Sequence, residues 1–328
     1  MNKNEFLHPD QPDGIYRYEM PMIGGIPQYV QIRGTNKNNP VLLFLHGGPG
    51  GALSGITHIL HAGWEERFTV VNWDQRGAGR TAVYHRKRAA EIGKTGSMED
   101  YVQDIGEVIA YLHTVLDFDK LILCGFSWGT MIGAEYAKQH PEELLCYVGI
   151  GQCVNYRDGV LCTCEKLLRI IPKESADAKK VQKLIADMPE NPKWDQKLMW
   201  SMRSFNPLCG KYIIKHAKRT PMLKILRSPL WNLHEKIRST IPDSKALARS
   251  YRTMLEYDFR QNLHFSVPVL FVSGEEESVC PSELVQECMD MLTAPEKRVA
   301  IIPKAAHCCF FDQPEQFRQV LDEFLKFC

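Results

Sequence analysis

A serine stands between two glycines in Gly125-Phe126-Ser127-Trp128-Gly129, after the apolar run Leu121-Ile122-Leu123-Cys124 and before a helical pattern that begins at Met131. A strand that turns at once into a helix pushes the corner residue toward left-handed backbone, and neighbours without side chains relieve the crowding. This nucleophile elbow holds a hydroxyl ready to attack a carbonyl carbon. The attack puts negative charge on the carbonyl oxygen, and losing one backbone N–H donor aimed at that oxygen costs about 3 kcal/mol. The loop His46-Gly47-Gly48-Pro49-Gly50 follows the run Val41–Leu45 and exposes such donors, except at Pro49, which has no N–H. The expected oxyanion donors are the N–H of Gly48 and the N–H of Trp128, with the Trp128 indole as a wall of the pocket.

A serine nucleophile needs a general base and a carboxylate to orient that base. His307 ends the stretch Ile301-Ile302-Pro303-Lys304-Ala305-Ala306-His307, a strand entering a small-residue turn late in the chain. The other histidines precede or flank the elbow or lie in or beside the central helical region, so chain order selects His307 as the base. The acid belongs between serine and histidine, after a strand. There Gly274-Glu275-Glu276-Glu277 offers three adjacent glutamates. The third residue after the glycine, Glu277, is taken as the acid, and Glu275 and Glu276 are read as a solvated acidic turn.

These groups need a scaffold that delivers them to one edge. Strand-like runs are expected at residues 28–33, 41–45, 68–72, 121–124, 145–150, 267–272 and 298–302. A long amphipathic helix carries Tyr101, Ile105, Val108, Ile109 and Leu112 at helical spacing, and a last helix covers 314–327. Alternation of strands and helices predicts an α/β fold with a mostly parallel central sheet covered on both faces. Residues 153–261 lack a strand signal and are broken by prolines into short helices, which predicts a helical lid inserted into a core formed by 1–152 and 262–328. Trp194, Met199, Trp200, Met202, Phe205 and Trp231 make that lid apolar, either to line a pocket or to pack the lid onto the sheet.

The 328 residues are 44% hydrophobic with a formal net charge of +1, ample for a large core and no basis for binding nucleic acid or an acidic membrane surface. No apolar run has the length of a membrane span, and the polar start lacks a signal-peptide core, so a cytoplasmic location is expected. The 11 cysteines contain no Cys-x-x-Cys pair and are read as reduced thiols. No metal and no cofactor is expected. The expected partner is a small-molecule or short-peptide substrate, and oligomeric state is not legible.

His46–Gly50, Asp74-Gln75-Arg76-Gly77-Ala78-Gly79-Arg80 and Gly125–Thr130 together resemble the proline iminopeptidase branch of the α/β-hydrolase superfamily. The resemblance runs from about Gly25 to Gly151 and resumes at about Val267. It implies Ser127 as nucleophile, His307 as base, Glu277 where the family usually has an aspartate, and a lid after the sixth strand. It also implies lid glutamates that hold the free amine of an N-terminal proline. Glu165, Glu235 and Glu256 are the lid carboxylates to weigh for that role, with Trp200, Phe205 and Trp231 as apolar substrate contacts. The family's Glu-Asn-x-Tyr-Phe-like stretch has only Leu255-Glu256-Tyr257-Asp258-Phe259-Arg260 as its counterpart. Esterases and amidases share the scaffold, so an aminopeptidase, a carboxylesterase or lactone hydrolase, and a catalytically quiet binding protein are the competing readings. A serine at the elbow excludes the alkyl-enzyme esters of dehalogenases and epoxide hydrolases.

Overall fold

A computed structural model describes residues 11–61, 63–190, 206–217, 227–228, 230–240 and 243–328. Its main sheet has eight strands in the order β1-β4-β6-β5-β7-β8-β9-β10. These are β1 (Ile15–Glu19), β4 (Tyr29–Gly34), β5 (Val41–Leu45), β6 (Thr69–Asp74), β7 (Leu121–Phe126), β8 (Leu144–Ile150), β9 (Val269–Gly274) and β10 (Lys297–Ile302). The pair β2 (Met22–Ile23) and β3 (Ile26–Pro27) forms a separate hairpin. β1 and β4 are antiparallel to their neighbours, and every pairing from β6 through β10 is parallel. Each apolar run expected to be a strand is one, within two residues at its ends. β1 escaped the reading because its five residues are all only half-buried at the sheet edge.

Period-two alternation divides the core. Leu43 and Leu45 of β5 face one side, with Leu123 and Tyr147; Leu42 and Phe44 face the other, with Ile122, Val148, Trp64, Phe310 and Phe317. Helices cover both faces: α1 (Gly79–Tyr84), α2 (Met98–His113), α3 (Trp128–Gln139), α4 (Tyr156–Ile170), α5 (Ala176–Ala186), α6 (Asn206–Tyr212), α7 (Leu233–Thr240), α8 (Ala248–Glu256), α9 (Ser282–Met289) and α10 (Pro314–Leu325). α2 starts at a capping box, in which Asp100 N donates to Ser97 Oγ and Ser97 N donates to the Asp100 carboxylate. Its stripe of Tyr101, Ile105, Val108, Ile109 and Leu112 is buried as the spacing requires.

Between β8 and β9 the described residues are helical apart from turns and two isolated bridges, Asn155 with Asp258 and His264 with Thr293. α4, α5 and α6 share an apolar cluster of their own, built on Val160, Leu167, Val181, Leu184 and Leu208. α8 instead sends Tyr251, Met254 and Leu255 into the same core as Tyr101 and Trp128. All 11 cysteines are free thiols.

Candidate active site

Ser127 sits at φ 53°, and with Lys304 it is one of two non-glycine residues in left-handed backbone among those described. Such a conformation costs on the order of 1–3 kcal/mol and persists only where its surroundings enforce it. Here Ser127 N donates to Ile150 O at 2.9 Å, and Ser127 O accepts from Thr130 N at 2.8 Å and Thr130 Oγ1 at 2.6 Å. Thr130 Oγ1 in turn accepts from Cys153 N at 3.0 Å, tying the elbow to the end of β8. The flanking glycines are steric necessities. A Cβ at Gly125 would lie 2.6 Å from Gly129 O, and one at Gly129 would lie 2.1 Å from Leu45 O.

The glycine-rich loop rests on the elbow, since a Cβ at Gly47 would be 3.0 Å from Ser127 Cβ. Gly48 has φ 130°, and a Cβ there would meet Gly50 N at 2.4 Å. Trp128 N belongs to the first residue of α3, where an N–H has no acceptor within the helix. Trp128 thus follows the serine directly, and Gly48 follows the glycine that rests on it.

The Trp128 indole is not a pocket wall. It is 2% exposed, packs edge-on against Tyr101 with ring centroids 5.2 Å apart, and donates Nε1 to Gln75 Oε1 at 3.0 Å. Gln75 also donates Nε2 to His46 O at 3.2 Å, and its backbone N donates to His46 Nε2 at 3.2 Å. His46 Nδ1 lies 2.8 Å from Gly47 O, so the consistent tautomer carries its proton on Nδ1. Burial lowers the His46 pKa to about 4 against the opposing Gly47 bond, and the ring stays neutral. Gln75 thus links the glycine loop to the first residue of α3. In the sequence its motif marks only kinship, and the Gln75 bridge becomes visible only once the fold brings His46 and Trp128 to it.

The rest of the motif fastens other parts. Arg76 makes a two-pronged pair with Asp104 of α2 at 2.5 and 2.8 Å, fully inside the protein. Arg80 Nε bonds Glu235 Oε1 at 3.0 Å, its Nη2 reaches Leu230 O, and its guanidinium lies 4.5 Å over the Tyr29 ring. Asp74 accepts from Ser54 Oγ and Arg80 N, each at 2.9 Å, while its Oδ1 has no partner among the described residues. Burial raises the Asp74 pKa to about 6 despite those bonds and the Arg80 charge.

On the far side of the elbow, His307 Nδ1 lies 2.8 Å from Glu277 Oε2. Glu277 is 1% exposed, and its Oε1 accepts from Val279 N at 2.7 Å and Cys280 N at 3.2 Å. Burial alone would raise the Glu277 pKa, but His307 and these two N–H groups hold it below the ordinary value. Burial pulls His307 down, yet the Glu277 charge and hydrogen bond prevail and raise it to about 9. Gly151, at φ 57°, lets the pair pack close: a Cβ there would be 3.1 Å from His307 Cε1 and 3.3 Å from Glu277 Oε2. The Phe126 ring, one residue before Ser127, is 4.9 Å from the His307 ring. The Ser127 hydroxyl itself makes no hydrogen bond among the described residues.

The three glutamates part company. Glu275 is exposed and accepts from Lys304 N at 3.0 Å. Glu276 is not the solvated residue expected: it is 7% exposed and bonded to residues 215–217. The lid carboxylates weighed for an amine are not brought together. Glu165 is exposed beside Arg169, Glu256 is exposed beside Arg249, and Glu235 is taken by Arg80. Trp231 is 3% exposed and packs on Gly55, where a Cβ would be 2.0 Å from the indole. Trp200 and Phe205, like Trp194, Met199 and Met202, lie outside the described residues.

A mostly parallel sheet with helices on both faces, a serine corner after β7, an acidic loop after β9 and a histidine loop after β10 make up the α/β-hydrolase fold. The family described as alpha/beta hydrolase fold matches residues 40–161. Proteins named aminopeptidase or proline iminopeptidase are among those this chain resembles in sequence. It is 28% identical over 304 residues to a probable aminopeptidase, YbaC, of Bacillus subtilis, covering 91% of this chain and 93% of that one. It is 30% identical over 185 residues to the proline iminopeptidase of Neisseria gonorrhoeae, covering 54% of each. Among solved structures, a proline iminopeptidase of Mycobacterium smegmatis superposes with a TM-score of 0.64 at 20% identity, over 95% of this chain and 98% of that one. An esterase of Exiguobacterium antarcticum superposes at 0.60 and 18% identity, over 95% and 100%. No helix among the described residues is long and apolar enough to cross a membrane.

Proposed function

We propose that this hydrolase is a serine enzyme that cleaves a small amide, peptide or ester through an acyl-enzyme on Ser127. The observation that carries the reading is the Glu277–His307 contact of 2.8 Å, packed against the Phe126 ring that precedes a serine in strained backbone. With Nδ1 engaged by Glu277, the other ring nitrogen of His307 is the one left to take the Ser127 proton as Oγ attacks the carbonyl carbon. The carbonyl oxygen becomes an oxyanion facing Gly48 N–H and Trp128 N–H. The tetrahedral adduct expels its amine or alcohol, which leaves with the proton from His307. Water then repeats the sequence on the acyl-enzyme and releases the acid. The division into a core of 1–152 and 262–328 and a lid of 153–261 belongs to the same reading. Labelling with a fluorophosphonate tests it: one adduct is expected, on Ser127, and none in Ser127→Ala. Labelling that survives in Ser127→Ala refutes the assignment.

An esterase or a general amidase is the second reading, and one observation favours it over an amine-dependent peptidase. Glu165, Glu235 and Glu256 each stand beside an arginine, and a buried ammonium without a carboxylate is costly. A prolyl arylamide compared with its N-acetylated form decides. Equal turnover supports the second reading, and loss by orders of magnitude on acetylation supports the aminopeptidase.

A further inference from the structure

We propose that Glu276 is a positioning residue that clasps residues 215–217 against the His307 loop and so fixes one wall of the substrate cleft. The proposal rests on the hydrolase reading of His307. The Glu276 carboxylate accepts from Lys215 N at 2.8 Å and from His216 N at 2.9 Å, with Ala217 N longer at 3.4 Å. His216 Nδ1 completes the ring of donors, 2.5 Å from the other oxygen. Successive backbone N–H groups aimed at one point form a nest for an anion, and here the anion is a side chain from 60 residues away in sequence. Its backbone serves the other side: Glu276 N donates to Ala305 O at 2.8 Å, within the loop that ends at His307.

One residue therefore joins two walls of one space. A cavity of about 640 Å³ has Ile214, Lys215 and Ala217 on one side and Ala306, His307 and Cys308 on the other. Burial of Glu276 pushes its pKa up, but the His216, Lys215 and Ala217 donors outweigh this and keep the carboxyl below its ordinary range. The clasp is accordingly ionised wherever the base is active. Glu277 keeps His307 oriented through bonds that do not involve the Glu276 side chain, namely His307, Val279 and Cys280. Loss of the clasp loosens the wall without disturbing the proton path, so its effect falls on substrate binding.

The test compares wild type with Glu276→Ala and Glu276→Gln, using amide hydrogen exchange, steady-state kinetics on a prolyl arylamide and a short acyl ester, and the rate of fluorophosphonate labelling. Removing a charged acceptor shared by several donors is expected to speed exchange at 215–217 and raise KM by about tenfold or more. kcat and labelling of Ser127 should stay within about threefold of wild type, since uniform binding alone is lost. If Glu276→Ala fails to melt cooperatively, Glu276→Gln decides, because it keeps the side-chain volume and loses the charge and one acceptor. Unchanged exchange at 215–217 overturns the clasp, as does a collapse of kcat with KM unaltered. Absence of labelling in wild type sinks the serine-hydrolase reading instead, and the exchange comparison still judges the clasp.

Discussion

Replacing Glu277 by glutamine leaves its volume and removes its charge. The structure then offers two arrangements, both poor. If the amide oxygen stays where Oε1 accepts Val279 N at 2.7 Å and Cys280 N at 3.2 Å, the amide nitrogen faces His307 Nδ1 at 2.8 Å. His307 must then present a bare Nδ1 and carry its proton on Nε2, the wrong tautomer for taking a proton from Ser127. If the amide flips, its nitrogen opposes two N–H donors in a pocket where the side chain is 1% exposed. Each buried donor left unpaired costs about 1–3 kcal/mol. Loss of the orienting charge at such a base lowers turnover by about 10³–10⁴-fold. The pH profile supplies an independent sign. A base must be deprotonated, and the Glu277 charge raises His307 to about 9, so wild-type kcat/KM keeps rising well above the ordinary histidine value of 6.5. In Glu277→Gln the burial effect loses its main opponent, and the limb of the residual activity moves to lower pH. Stopped assays of the best arylamide or ester from pH 5 to pH 10 read both effects. A variant within tenfold of wild type, or one whose limb stays in place, refutes the argument.

Two further perturbations test the frame around the site. Folding raises the Asp74 pKa from 3.8 to about 6, so the folded state binds the extra proton and this group's contribution to stability fades as pH rises through that window. Denaturant unfolding of wild type and Asp74→Asn at a series of pH values should show the wild type losing about 2–3 kcal/mol relative to the variant between pH 4 and pH 7; a constant difference contradicts it. Gly129→Ala puts a methyl 2.1 Å from Leu45 O, which forces α3 away from β5. A loss of about 1–3 kcal/mol in stability, with weaker catalysis as Trp128 N moves, is expected from melting curves and kcat; a fully active, equally stable variant sinks this account.

The sequence made legible whatever depends on local pattern. Runs such as Val41–Leu45 are buried on both faces and read as strands from their composition alone. The Tyr101 to Leu112 stripe reads as a helix from the spacing of its apolar residues. Ser127 stood out because its strained corner demands glycines at 125 and 129, and those letters are visible. Glu276 was hidden because an acidic turn has the same letters whether it faces water or a nest, and its partners at 215–217 come from a distant segment. The Trp128 indole was misjudged because a large aromatic beside a nucleophile suggests a pocket, while its burial depends on Gln75 and Tyr101. The alkaline shift of His307 needed the 2.8 Å contact with a buried carboxylate, which no spacing predicts.

The loop from Asp74 to Arg80 bears on how such a protein can be recombined. Its Gln75 holds the glycine loop, its Arg76 holds α2, and its Arg80 reaches Glu235 and Leu230 in the helical insertion. Grafting the insertion from a relative therefore transfers a fitted socket along with its helices. A donor segment without a carboxylate at the Glu235 position would leave the Arg80 guanidinium, part-buried against Tyr29, without the carboxylate that bonds it directly. The exchangeable unit in a chimera is the insertion together with this arginine.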